Sequence, residues 1–114
     1  MEDLITVLKA LSDKNRIRIL KMLERKSLCV CEITAILGLA VSTTSKHLSI
    51  LKEASLIFEQ KEGKWVNYHL NSATQNKYIR ETLPLLKTWL KQDETIRKDL
   101  DMVNRVSRID LCRG

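Results

Sequence analysis

The sequence predicts a mostly α-helical fold carrying one small β-hairpin, and three observations predict it. Apolar residues recur at three- and four-residue spacing through most of the chain. One glycine, Gly38, separates two short stretches with that spacing. Past Leu56 the period drops to two on either side of a second glycine, Gly63. Hydrophobic residues fill 44% of the 114 positions but aromatics only 4%, which favours helices packed through Leu and Ile over a β-sandwich. Length and composition suffice for one modest core. No repeat, low-complexity tract or Gly/Pro-rich linker marks a second domain.

Leu4, Val7, Leu8 and Leu11 fall on one face of a first helix. Ser12-Asp13 then supplies an N-cap signal for a second, with Ile17, Leu20 and Leu23 inward and Arg25-Lys26 at its negative end. A short helix from about Cys31 buries Ile33, Ile36 and Leu37, with Gly38 as its left-handed stop. After a tight turn through Leu39-Ala40-Val41, Ser42 is the expected cap of a longer helix with Thr44, Leu48 and Leu51 inward. Helix, short turn, helix is a helix-turn-helix pattern.

The strands around Glu62-Gly63 make a hairpin, which must pack on the helices to be stable. A winged helix-turn-helix results. Residues 73–108 read as helical through Ile79, Leu83, Leu86 and Leu90, interrupted and kinked at Pro84, with Asp93 capping a last helix through Ile96, Leu100 and Val103. The expected organisation is a single domain over 1–114, with the helix-turn-helix in 31–54 and the wing in 56–70. Segments 1–26 and 73–108 are expected to be dimerisation helices, because long amphipathic termini in so small a domain pair with a second copy.

A net charge of +6 points to a polyanionic partner. On the helix after Ser42, the residues Thr43, Lys46, His47 and Ile50 share the face opposite Leu48 and Leu51. Ser42, Thr43, Thr44 and Ser45 are small donors at its start, Lys46 and His47 add charge or hydrogen bonding, and Lys61 and Lys64 flank the wing turn. Together they are the expected contacts to double-stranded DNA. The plainer alternative is an ordinary solvated helix face. An enzyme is not expected: there is no nucleophile–base arrangement or HExxH-type motif, and the three glycines of the chain form no phosphate-cradling loop.

Cys29 and Cys31 stand immediately ahead of the helix pair; Cys112 is the remaining thiol. Two residues apart on a helix point about 200° apart, whereas on an extended segment they point to one side. Shared ligation therefore requires a non-helical segment at Cys29 or an unwound first helical turn. Soft thiolates select thiophilic ions. A lone cysteine on an apolar helix is usually a small core residue, and Val30 rather than either cysteine is a candidate for the one inward-facing position of the three. A redox switch is a further possibility, although a Cys-x-Cys disulfide has poor geometry. His47 and His69 are expected to make hydrogen bonds rather than bind metal. The amino terminus has no signal pattern and no stretch reaches the roughly 20 apolar residues of a membrane span, so the expected location is the cytosol, on the nucleoid.

The run from Ser27 to Leu70 resembles the ArsR/SmtB family of metalloregulatory repressors, and its arsenic-responsive branch in particular. The match is carried by Leu28-Cys29-Val30-Cys31-Glu32-Ile33, by Ser42-Thr43-Thr44-Ser45-Lys46-His47-Leu48-Ser49-Ile50-Leu51 and by Lys61-Glu62-Gly63-Lys64-Trp65-Val66-Asn67-Tyr68-His69-Leu70. Ala10-Leu11-Ser12-Asp13 and Arg16-Ile17-Arg18-Ile19-Leu20 add to it. The resemblance implies a homodimer on a palindromic operator of a metalloid-resistance operon. It also implies release of DNA by the inducing ion, for an arsenic-responsive member trivalent arsenic or antimony, inorganic or organic, on Cys29 and Cys31. Two thiolates are one short of the three that inorganic arsenite suits, and Cys112, the remaining thiol, is the candidate to complete the set if the tail folds back. No resident cofactor is implied.

The chain departs from the family pattern at several positions. Thr34 stands where some members carry a third cysteine, and Ala54-Ser55 where Ala-Gly is usual. There is no cysteine in the amino-terminal arm, and no histidine in residues 71–114. The alternatives are a thiol-based redox or polysulfide sensor, and a constitutive architectural DNA-binding protein with inert thiols.

Overall fold

The helices that start at Lys14, Lys77 and Glu94 begin where Asp13, Asn76 and Asp93 supply a side-chain cap. The structure, a computed structural model, describes residues 1–106. Helix α1 (Glu2–Leu11) is followed by α2 (Lys14–Arg25), whose N-cap Asp13 accepts from the N–H groups of Asn15 at 2.8 Å and Arg16 at 3.1 Å. Strand β1 (Leu28–Cys29) leads directly into α3 (Val30–Leu37), which ends on Gly38 at φ 71°. Helix α4 (Val41–Glu53), strands β2 (Ile57–Glu62) and β3 (Trp65–Leu70), and helices α5 (Lys77–Thr88) and α6 (Glu94–Val103) complete the order.

The sheet has three strands, where the sequence suggested two. Its order is β1-β3-β2, antiparallel throughout, with Leu28 opposite Tyr68 and Cys29 opposite Asn67. β1 is two residues long, too short for alternation to betray it, and it ties the start of α3 to the wing. In the hairpin, Glu62 pairs with Trp65 across Gly63-Lys64, and Gly63 takes φ 65°, a conformation that costs glycine little.

The core is Leu- and Ile-rich as the spacing implied: Ile19, Leu20, Leu28, Ile33, Leu48, Leu51, Leu56 and Ile79 are fully buried. Three charged residues buried with it, Lys21, Glu32 and Asp99, were not foreseen. Lys21 donates to the carbonyls of Leu86 at 2.8 Å and Trp89 at 2.9 Å and pairs with Glu24 at 2.8 Å. It thereby satisfies the carbonyl end of α5 with a cation, the sign that end favours. Asp99 receives a two-pronged bond from Arg18, at 2.8 and 2.9 Å, which fastens α6 to α2.

Two expectations about the carboxy-terminal half are corrected. The break falls at Leu90, with φ 63°, and not at Pro84, which lies inside α5. Pro84 and Arg80 are both on the exposed side, where water can serve the Arg80 carbonyl. Leu90 consequently leaves the apolar stripe and is 39% exposed. Helix α6 does have partners within its own chain: it packs on α2 and α3 and buries Ile96 and Val103.

Ser42 is not the cap of α4. That position is Ala40, and Ser42 is the second helical residue. The other end of α4 closes in a Schellman turn, the Leu56 N–H bonding to Leu51 and the Ser55 N–H to Lys52, with Ser55 at φ 65°. A serine there carries left-handed strain that glycine would not. Ser55→Gly is therefore expected to stabilise the protein by about 1 kcal/mol, measured as a higher urea midpoint. An unchanged or lower midpoint would contradict the strain.

Candidate functional site

Helices α3 and α4 pack together, and α4 also packs on β2, so α4, the candidate recognition helix, is held between α3 and the wing. Lys52 of α4 pairs with Glu59 of β2 across the second joint. Along α4, Thr44, Leu48 and Leu51 point inward, and Ser42, Thr43, Ser45 and Lys46 are exposed. His47 is half-buried and Ile50 is 40% exposed. Thr44 must be removed from the candidate DNA contacts. It is fully buried and its hydroxyl donates to the Ala40 carbonyl at 3.2 Å, which also explains why a polar residue is tolerated on the core stripe.

At the wing, Lys61 and Lys64 are exposed on either side of Gly63, and the Lys64 ammonium lies 5.2 Å from the centre of the Trp65 ring. Tyr68 packs against the core. His69 stacks on Phe58 with centroids 5.1 Å apart and meets Glu62 at 3.1 Å. His47 meets Arg16 at 3.3 Å. Both histidines therefore make hydrogen bonds. Arg16 is the residue at this face that sequence reasoning overlooked; its place ahead of an apolar stripe resembled any solvated helix position.

Cys29 is the extended N-cap of α3, with φ −90° and ψ 169°, and 3% exposed. It takes part in a capping box: its sulfur accepts from the Glu32 N–H, and its own N–H donates to Glu32 Oε1 at 2.9 Å. Cys29, not Val30, is thus the buried member of the trio; Val30 is half-buried. Burial pushes the Cys29 thiol above its ordinary pKa. The N–H groups of Glu32 and Cys31 pull it back in part, and the Glu32 carboxylate raises it further. Cys29 is not in a disulfide, whereas Cys31, the second residue of α3, is disulfide-bonded. Cys112 lies outside the described residues, and among the described residues no three Cys, His, Asp or Glu side chains converge on a metal-sized site.

A winged helix-turn-helix with a small polar recognition face and a basic wing tip defines a DNA-binding transcription regulator. Residues 13–57 match the model of the bacterial regulatory protein, arsR family. The chain is 38% identical over 68 residues to the arsenical resistance operon repressor of Escherichia coli, covering 59% of this chain and 58% of that one. It is 37% identical over 100 residues to the arsenic resistance transcriptional regulator ArsR1 of Pseudomonas putida, covering 82% of this chain and 78% of that one. Among solved structures, the homodimeric winged helix-turn-helix domain Mb0332 of Mycobacterium bovis superposes with a TM-score of 0.65 at 24% identity, over 76% of this chain and 77% of that one. The chain belongs to the ArsR family of bacterial regulatory proteins, a family of DNA-binding transcription regulators and not of enzymes.

The thiol assignment has a pH consequence. A raised folded-state pKa means the folded chain holds the Cys29 proton more tightly than the unfolded chain does. That contribution to stability is complete below the unfolded thiol pKa and is lost as pH rises through the folded one. Wild-type protein is expected to lose stability at alkaline pH more steeply than Cys29→Ser, which keeps an oxygen cap and has no thiol to ionise. Parallel urea midpoints for the two proteins from pH 7 to 10 would contradict the assignment.

Proposed function

We propose that two copies of the chain bind a palindromic operator in the cytosol, on the nucleoid, through α4 and the wing. In this reading they are released when trivalent arsenic or antimony engages Cys29 and Cys31, with Cys112 as third ligand. The observation that carries the reading is that a candidate sulfur ligand is also the cap of the helix on which the recognition helix rests. Ser42, Thr43, Ser45, Lys46 and His47 would meet base edges and phosphates, and Lys61 and Lys64 neighbouring phosphates. Ile5, Leu8, Leu85 and Trp89, on the packed pair α1 and α5, are 42%, 51%, 51% and 50% exposed. Those exposed apolar side chains suit contact with a second copy. No helix among the described residues is long and apolar enough to cross a membrane.

Release follows from local geometry. Cys29 is extended and Cys31 helical, so one ion can hold both only if the first turn of α3 opens. Opening removes the capping box and the Cys29–Asn67 pairing, and α3 shifts beneath α4. The ligand-binding form is the reduced one: a thiol reductant first supplies two electrons and two protons to the disulfide of Cys31. Each As–S bond then replaces an As–OH bond, the thiol proton leaving with hydroxide as water. An ion that favours the opened shape weakens DNA binding by the same coupling free energy, typically ~1–3 kcal/mol.

The disulfide-bonded state of Cys31 favours a second reading, in which oxidation itself is the signal. Titrating the operator complex with arsenite under reducing conditions separates the two. Cys29→Ser and Cys31→Ser are each expected to raise the releasing concentration at least tenfold. If Cys29→Ser, Cys31→Ser and Cys112→Ser all release at the wild-type concentration, the ligand assignment fails; release by diamide alone would favour the redox reading. Independently, Lys46→Glu is expected to weaken operator binding at fixed salt at least tenfold with an unchanged melting temperature. Wild-type affinity for that variant would remove α4 from the interface.

A further inference from the structure

His47 of the recognition helix is joined to Arg16 of α2, 31 positions earlier in the chain. The Arg16 guanidinium is half-buried and uses all three of its nitrogens. Nε donates to the Ala10 carbonyl at 2.7 Å and Nη2 to the Lys9 carbonyl at 3.1 Å, both at the end of α1. Nη1 lies 3.3 Å from His47 Nδ1, with Asp13 Oδ2 at 4.0 Å on its other side. A guanidinium can only donate, so Nδ1 in this contact is the lone-pair acceptor. The neutral ring then carries its proton on Nε2, because a neutral imidazole has one N–H.

We propose that Arg16 is a positioning residue that holds His47 as the Nε2–H tautomer, so that α4 presents DNA with one hydrogen-bond donor at a fixed place. The complementary group is an acceptor, either the N7/O6 edge of a purine or a phosphate oxygen. An unanchored imidazole would divide its population between two tautomers and several ring orientations. Arg16 is fixed in turn by the α1 carbonyls, which makes the donor's position depend on where α1 sits. This rests on the reading of α4 as the DNA-contacting helix.

The test uses the full-length, reduced protein. Imidazole ¹⁵N–¹H correlation spectra at pH 8, with His69→Gln to assign the two rings, are expected to show His47 with an acceptor-type Nδ1 and a protonated Nε2. In Arg16→Met the two nitrogens should move toward averaged shifts. In gel shifts at fixed salt, His47→Gln places an amide nitrogen where Nε2 was and should retain operator affinity. His47→Asn mimics Nδ1 instead and should lose about tenfold, the scale of one hydrogen bond. Arg16→Met combined with His47→Asn should lose no more than His47→Asn alone.

A loss confined to operator DNA indicates a base acceptor, and an equal loss on scrambled DNA a phosphate; either supports the proposal. An Nδ1-protonated ring, spectra unmoved by Arg16→Met, or equal binding by His47→Gln and His47→Asn overturns it. Should Arg16→Met fail to fold, the wild-type spectrum and the two His47 variants still decide. Lys46→Glu separates this failure from failure of the helix assignment, because it abolishes binding wherever α4 meets DNA, whatever His47 does.

Discussion

The capping box at Cys29 and Glu32 is the joint on which this architecture turns. Helix α3 is eight residues long, well below the length at which a helix is stable by itself, so its first turn depends on the cap and on packing. A cap of this kind is worth about 1 kcal/mol. That is enough to keep the turn closed and little enough for a strong ligand to reverse. A sulfur atom at the cap therefore makes the shape of the supporting helix sensitive to thiol chemistry in a way that serine would not.

The other helices are tied to one another by buried or part-buried charged side chains. Arg18 bridges Asp99 of α6, and its Nη2 lies 3.5 Å from the Ile36 carbonyl near the far end of α3. Lys21 binds α2 to the end of α5. Buried charges paired in this way resist separation, because parting them strands an uncompensated ion. With one end of α3 fixed to α2 and α6, a disturbance at Cys29 has α4 and β1 as its outlets. Both lead to the candidate DNA-binding face, α4 directly and β1 through its pairing with β3 of the wing.

Most of the fold was legible because local rules and global packing agree. Gly38 and Gly63 mark their turns, Asp13 and Asp93 their helix starts, and the Leu48/Leu51 stripe its inward face. The errors arose where a distant partner decides. β1 exists only through β3; Ala40 replaced Ser42 as a cap because the turn after Gly38 is two residues shorter than expected. The break at Leu90 lies beside the α5 carbonyls that Lys21 holds, and α6 is drawn in by an Arg18 whose partner is 81 positions away. At the site, the exposed residues of α4 followed from period alone. The roles of Cys29 and Arg16 did not, since a cap and a tautomer-setting contact are both properties of assembled geometry. Thr44 illustrates the converse, a polar residue of the right type and spacing that faces the core.

The claim that a sulfur cap governs the recognition helix is tested most directly by hydrogen exchange of the reduced protein with and without arsenite. The account predicts faster exchange at the amides of Cys31, Glu32 and Ile33, together with altered exchange in the amides of α4. Arsenite bound stoichiometrically with both segments exchanging as before would contradict it.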